Sequence, residues 1–254
     1  MLNIVIPMAG AGARFLTAGY ADPKPLIPLY GVPMIRLVIE NLRPRESHRF
    51  IFVCQQSHIQ MYGLDRKLDH WAPGSALVPI KSLTQGAACT VLCAKSLIDN
   101  DTELMIANSD QYVDIDINDY LEEMRHRKLD GQIMTMKAND PKWSFVKLSD
   151  NKYVSGVVEK VVVSDEATTG VYNFKCGHDF VRAAELMVNK ELRVNGEFYV
   201  APTYNQLIQE GKKIGYFNIG SDGKGMHGLG TPADLDRFLA LETSKHAVTG
   251  LSPD

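Results

Sequence analysis

The chain begins with a nearly continuous apolar run, Leu2-Asn3-Ile4-Val5-Ile6-Pro7-Met8, which reads as a strand buried on both faces. Through the first half, short runs of this kind alternate with stretches of helical period. Arg49–Cys54, Ala76–Ile80 and Leu104–Ala107 are predicted strands, while Pro33–Leu42, with Pro33 suited to a first turn, and Ala87–Leu97 are predicted helices. This order implies a largely parallel sheet covered by helices. The second half is richer in β pattern: Gly131–Lys137, Phe145–Leu148, Tyr153–Val163 and Gly170–Phe174 read as strands before helical stretches at Asp179–Val188, Ala201–Gln209 and Pro232–Leu241. Between the halves, a helix begun by Leu121-Glu122-Glu123 ends in Arg125-His126-Arg127-Lys128, a charge order that suits the helix dipole. No Pro- or Ser-rich linker, internal repeat or low-complexity tract divides the chain, so residues 1–254 read as one domain with lobes at about 1–130 and 131–245. Residues after about Lys245 are expected to fray.

Composition narrows the class without naming a chemistry. With 254 residues, 45% of them hydrophobic, the chain can bury one sizeable core. A formal net charge of −3 argues against a general nucleic-acid binder. No apolar run approaches the ~18 residues of a membrane span, and the N-terminus lacks a basic region and a cleavage site, so a cytoplasmic protein without a membrane partner is expected. Cys54, Cys89, Cys93 and Cys176 lie in apolar segments without a Cys-x-x-Cys pair and read as buried, reduced thiols. Oligomeric state cannot be read.

Chemistry concentrates at residues 9–26, AGAGARFLTAGYADPKPL. Gly10 and Gly12 follow the first strand, at the end where open α/β sheets bind ligands. Glycines let backbone N–H groups approach phosphate oxygens; Arg14 adds a permanently charged fork and Lys24 a point charge. Taken alone, the motif equally suits a small-residue turn beside a solvated arginine. It is neither of two familiar nucleotide loops, because Phe15 stands where the dinucleotide fingerprint needs glycine and no Gly-Lys-Ser/Thr follows Gly12.

Read together, Gly10-Ala11-Gly12-Ala13-Arg14, Pro23-Lys24-Pro25-Leu26 and Gly31-Val32-Pro33-Met34-Ile35 resemble the sugar-nucleotidyltransferase family. The resemblance implies a Rossmann-like α/β/α three-layer fold with a mainly parallel, mixed central sheet and a β-rich acceptor lobe. It also implies transfer of a nucleoside monophosphate from a nucleoside triphosphate to a phosphorylated sugar or small phosphorylated alcohol, with release of pyrophosphate. Ala9, Gly10, Gly12, Arg14 and Lys24 would hold the triphosphate, and Gln85-Gly86-Ala87-Ala88 resembles the segment that recognises the base. On residues alone, that segment also reads as a helix start capped by Thr84. Asn108-Ser109-Asp110 places a carboxylate after a buried strand, where Asp110 would hold Mg²⁺, or else begin a turn. Glu159-Lys160 resembles the family's acceptor-binding Val-Glu-Lys segment, with Lys160 on the acceptor phosphate; an edge-strand lysine is the other reading. Gly170 and Tyr172 resemble the strand lining the acceptor pocket, although an aromatic there also suits the core.

Gly230-Thr231-Pro232-Ala233-Asp234-Leu235 resembles the family's C-terminal motif, with Thr231 as a helix cap. The departure is upstream: Gly228, preceded by His227, stands where many relatives carry a second metal-binding aspartate. Imidazole is a poor Mg²⁺ ligand, which leaves His227 as a phosphate contact or a structural residue and Asp222 as a candidate carboxylate from a shifted position. Two other classes compete. A glycosyltransferase would use Asp114-Ile115-Asp116 as a metal motif but gives the Gly10–Arg14 and Pro23–Leu26 segments no task, and a nucleotide sensor would bind a triphosphate without turnover.

Overall fold

Strand β1 (Leu2–Pro7) forms at the first apolar run and alternates its side chains between two cores, Leu2, Ile4 and Ile6 on one face and Val5 on the other. The structure, a computed structural model, describes residues 1–252. After β1 come helix α1 (Ala13–Thr17), the short hairpin β2 (Pro28–Leu29) and β3 (Val32–Pro33), and α2 (Met34–Asn41). Next are β4 (His48–Gln55), α3 (Gln56–Tyr62), α4 (Leu64–Trp71), β5 (Ala76–Ile80), α5 (Ala87–Leu92), α6 (Lys95–Ile98), β6 (Glu103–Ala107), β7 (Gln111–Val113) and α7 (Ile117–His126). The second half contributes β8 (Gly131–Lys137), β9 (Ser144–Leu148), β10 (Val154–Glu159), β11 (Glu166–Phe174), α8 (Gly177–Asn189), α9 (Tyr204–Gln209), β12 (Ile214–Asp222), β13 (Gly225–Gly228), α10 (Pro232–Leu239) and α11 (Glu242–Ala247).

One eleven-stranded sheet takes strands from both halves, in the order β5-β4-β1-β6-β11-β8-β12-β13-β7, with β9 and β10 attached beside β11. β5, β4, β1 and β6 are mutually parallel, while β11 runs antiparallel between β6 and β8. The Rossmann-like, mixed sheet is therefore as expected. Residues of α2, α4 and α7 join the core on one face, and those of α5, α8 and α9 join the core on the other, giving three layers.

The sequence-based expectations differ from the structure where backbone detail or distant pairing decides. The helix expected over Ala87–Leu97 is two short helices, joined where Ala94 N–H bonds Val91 O and Leu97 N–H bonds Ala94 O, each at 2.9 Å. That tightening keeps Val91, Ala94 and Ile98 all facing the sheet, fully buried. The strand expected to Val163 stops at Glu159, because Lys160 turns into the left-handed region at φ 56°. Two strands that the apolar pattern does not predict, β12 and β13, also form, since β12 finds a parallel partner in β8 from Ile214 to Ser221.

The tail also behaves differently through residue 252. Helix α11 runs to Ala247, and Val248 and Leu251 pack on a third cluster that includes Phe15, Leu235 and Phe238. Tyr30 donates its hydroxyl proton to Leu239 O at 2.7 Å, fixing the preceding turn. The fraying expected for Pro253 and Asp254 lies outside the described residues. Of the cysteines, Cys54 is buried as expected, and burial pushes its thiol up to about 12. Cys93 is exposed instead, because α5 ends just before it, and Cys89 and Cys176 are half-buried.

Tyr204 ties the two halves of the sheet to α9. Its buried hydroxyl donates to Asn173 O at 2.7 Å, and its ring stacks on Phe174 at 4.5 Å. Tyr204→Phe removes that donor while keeping the ring. Thermal unfolding should show a loss of about 1–2 kcal/mol, or roughly 2–6 °C in Tm; an unchanged Tm would show that the bond contributes nothing net.

Candidate active site

The sheet's strand order creates the site. β1 and β6 are parallel neighbours, but the chain leaves β1 toward β4 and leaves β6 toward β11 and β8, so a crevice opens at their C-terminal ends. The Gly10–Arg14 loop and Asp110 stand at those two ends. Lys24 reaches across to Asp110, with its Nζ 2.7 Å from Oδ2 and both side chains about four-fifths buried (23% and 22% exposed). The loop is braced from β4, as Gln55 Nε2 donates to Ala9 O at 3.0 Å. Gly12 adopts φ 63° to start α1, and Arg14 on that helix has no partner among the described residues.

Three adjoining cavities fill the crevice. One of about 310 Å³ lies between Ala9-Gly10-Ala11 and Thr84, Gly86 and Ala87. A second, of about 260 Å³, begins at Ala87 and is walled by Trp143, Glu159, Tyr172 and Tyr199. A third, of about 470 Å³, contains Arg14, Asp110, Gly228, Thr231 and Asp234 and meets the second at Asn108, Lys142 and Trp143.

The structure thus gathers most of the residues singled out from sequence. Gly86 lines the first cavity, but its missing side chain serves the protein backbone: at φ 125°, a Cβ would fall 2.5 Å from Phe198 O. Phe198 N–H in turn bonds Gln85 O at 2.8 Å. Gln85 itself is turned to Arg193, whose Nη2 donates to Oε1 at 2.6 Å, and it does not line the cavity. Thr84 does not cap α5, which starts from Gly86 without a side-chain cap; its hydroxyl donates to Gly86 O instead. Gly170 and Tyr172 both line the second cavity. Gly170 is also sterically required, because a Cβ at its φ of 93° would fall 2.1 Å from Asn108 Nδ2.

Glu159 is nearly buried, accepts a short hydrogen bond from Ser144 Oγ, and is held above the usual carboxylate range by that burial. Lys160 lies beside the cavity wall, where the Tyr199 hydroxyl at 2.8 Å from Nζ holds the ammonium above the usual lysine range. The edge-strand reading does not apply to Lys160, which follows β10 in a turn.

Two expectations separate from the site. Asp222 is not brought to Asp110: it pairs with Arg237 at 3.0 Å and Lys142 at 3.5 Å and lines none of the three cavities. His227 is buried in the third core cluster's neighbourhood, with its ring 5.1 Å from that of Phe238. Asp116 of the Asp-x-Asp sequence caps α7 through Asn118 N–H at 2.9 Å and pairs with Arg45, so it serves a surface helix. Thr231 caps α10 as expected, accepting Asp234 N–H at 3.1 Å. Sequence reasoning missed Gln55, Lys142 and Trp143, which lie in turns or at strand ends without periodic pattern.

A divalent cation's fit can be judged from the residues present. Asp110 offers a hard oxygen donor, and a Cβ at Gly230 would fall 2.9 Å from its Oδ2, so a glycine there keeps the carboxylate approachable. This hard oxygen donor suits a divalent cation, which Asp110 would hold.

The sequence pattern of the nucleotidyl transferase family matches residues 4–217. The chain belongs to that family. Over 264 aligned positions it is 25% identical to the bifunctional protein GlmU of Methanocaldococcus jannaschii, covering 100% of this chain and 56% of that protein. The chain spans about half the length of the curated relatives it matches. The nucleoside-diphosphate-sugar pyrophosphorylase structure from Vibrio cholerae RC9 superposes with a TM-score of 0.78 at 26% identity, over 94% of this chain and all (100%) of that one. The inositol-1-phosphate CTP transferase of T. maritima shares the fold, with a TM-score of 0.75 at 14% identity over 98% of this chain and 97% of its own. Among the described residues, no helix is long and apolar enough to cross a membrane.

His227 gives the site's scaffold a pH dependence. Burial, reinforced by Arg237, holds its imidazole below the ordinary 6.5, against the opposing pull of Asp114 and Asp222. The unfolded chain therefore takes up the proton first as pH falls. Stability from neutral His227 is full above about 6.5 and is lost progressively below it. Urea titrations at pH 7.5 and 5.5 should show a smaller acid loss in His227→Gln than in the wild type, and equal losses would remove His227 as a cause.

Proposed function

We infer that the protein transfers a nucleoside monophosphate from a nucleoside triphosphate to the phosphate of a sugar or small alcohol, releasing pyrophosphate. The carrying observation is the Lys24–Asp110 pair at the strand switch point, beside cavities that adjoin closely enough for two substrates to meet.

In this reading the base and ribose occupy the cavity between Gly10 and Gly86, whose backbone-lined walls accept a flat ring. The phosphates extend toward Arg14 and Lys24. Asp110 would hold Mg²⁺, whose charge offsets that of the phosphates when bound. The acceptor enters the cavity of Glu159, Tyr172 and Tyr199, with its phosphate toward Lys160. A phosphate oxygen attacks the α-phosphorus, the bond to the β-phosphate oxygen breaks, and Arg14 and Lys24 stabilise the departing pyrophosphate. No protein nucleophile is needed, because positioning and fixed charge lower the barrier. Glu159, desolvated and bonded on one oxygen by Ser144, accepts hydrogen bonds from the acceptor's far end.

The test is pyrophosphate release from four nucleoside triphosphates against a panel of phosphorylated sugars and alcohols. Release with at least one pair is expected. Triphosphate binding without release from any pair would favour a sensor, and release of free nucleotide from a sugar nucleotide would favour a glycosyltransferase. Lys24→Ala and Asp110→Asn should each cut turnover by roughly a hundredfold or more while circular dichroism shows a retained fold. Near-normal turnover in both would overturn these roles.

A further inference from the structure

We propose that Lys142 is a phosphate-gripping catalytic residue where the two substrates meet, and that Asp222 is the positioning residue that holds it ready. The proposal rests on the nucleotidyl-transfer reading and assigns a charge that reading lacks.

Among the described residues, only Asn108, Lys142 and Trp143 line both the acceptor cavity and the phosphate cavity, and of these only Lys142 is charged. At that junction an anionic attacking phosphate must approach an anionic α-phosphate. Each brings negative charge to within bonding distance of the other, so a cation at the junction acts on the step itself. The remaining cations stand elsewhere. Lys24 is bound to Asp110, Arg14 lines only the phosphate cavity, and the Lys160 ammonium is held by Tyr199.

The segment carrying Lys142 is built to hold its backbone and release its side chain. Lys142 N–H bonds Asp140 Oδ1 at 2.9 Å, Trp143 N–H bonds Asp140 O at 3.2 Å, and Lys160 N–H bonds Trp143 O at 3.1 Å. The last bond joins the backbones that carry the two lysines. The Lys142 ammonium, by contrast, has only long contacts, 3.5 Å to Asp222 and 3.7 Å to Asp140, and lies 4.9 Å from the Trp143 ring centre. The Lys142 side chain is half-exposed (45%), and a pair this long with one solvent-exposed partner is worth about 0–1 kcal/mol, so phosphate oxygens can compete for the ammonium.

Asp222 is suited to the exchange. Arg237 remains on its other oxygen at 3.0 Å, so the carboxylate keeps a counter-charge when Lys142 turns to the substrates. This gives a role to the acid that sequence places near the metal and the fold places away from it.

The test compares wild type, Lys142→Ala, Lys142→Arg, Asp222→Asn and the double variant Lys142→Ala/Asp222→Asn. Steady-state pyrophosphate release is one readout. The other is calorimetric binding of inorganic phosphate to protein saturated with magnesium and an α,β-methylene triphosphate. Lys142→Ala should lower kcat/KM for the acceptor by about a hundredfold and weaken phosphate binding by about tenfold or more, while Lys142→Arg recovers most of both. Asp222→Asn should lower kcat/KM about three- to tenfold in the wild-type background and not at all in the Lys142→Ala background, the signature of action through Lys142. Lys142→Ala within about threefold of wild type in both readouts overturns the catalytic assignment. An equal Asp222→Asn effect in both backgrounds overturns the positioning assignment. Should wild type release no pyrophosphate with any pair, the transfer reading fails separately; the phosphate titration then decides Lys142, with unchanged affinity in Lys142→Ala counting against it.

Discussion

Parallel pairing of β1 with β6 is the constraint from which the site follows. Leu2 to Val5 align with Glu103 to Ile106, so the two strands deliver their following segments to the same sheet edge. Because the chain then departs in opposite directions, a crevice opens at the strands' C-terminal ends, and the Gly10–Arg14 loop and Asp110 stand on its two sides. Lys24 closes the gap electrostatically. The remaining strands act largely as support, with β11 carrying Gly170 against Asn108 and β13 bringing Gly228 opposite Gln111.

The arrangement of charge favours electrostatic chemistry over a protein nucleophile. Cationic side chains at Arg14, Lys24, Lys142 and Lys160 surround the cleft, and each has a different hold on its position. The Lys24–Asp110 pair is partly buried and short, so Lys24 is fixed before a ligand arrives. Arg14 is exposed and has no partner among the described residues, whereas Lys160 is anchored through a hydroxyl that leaves its charge available. In the second cavity's wall, Glu159 is a desolvated acceptor of hydrogen bonds. In the proposed reading, an acceptor's phosphate would meet the lysines and its donor groups the carboxylate.

Several motif glycines are explained by protein contacts rather than ligand contacts. Gly86 lets the Phe198 backbone cross and pair with the Gln85–Ala88 segment, which fixes the first cavity's wall. Gly170 admits the Asn108 side chain at the end of β6. Their effect on binding is indirect but strong, because a Cβ at either place would push the cavity walls apart.

By itself, the sequence determined the fold class and the family. Continuous apolar runs report burial on both sheet faces, and Gly10–Arg14, Lys24, Gly86, Asp110 and Gly170 are types selected by local demands that a motif preserves. The tertiary structure decided matters that depend on distant partners. β12 is drawn into the sheet by parallel pairing with β8; Val248 and Leu251 pack because Phe15, Leu235 and Phe238 leave an apolar surface for them. Asp222, legible as a spare carboxylate, is drawn to Arg237 and Lys142 instead of Asp110. Lys142 and Trp143 carried no periodic or motif signal at all. Their importance arises only from the place where two cavities join, a property of the packed chain and of no segment within it.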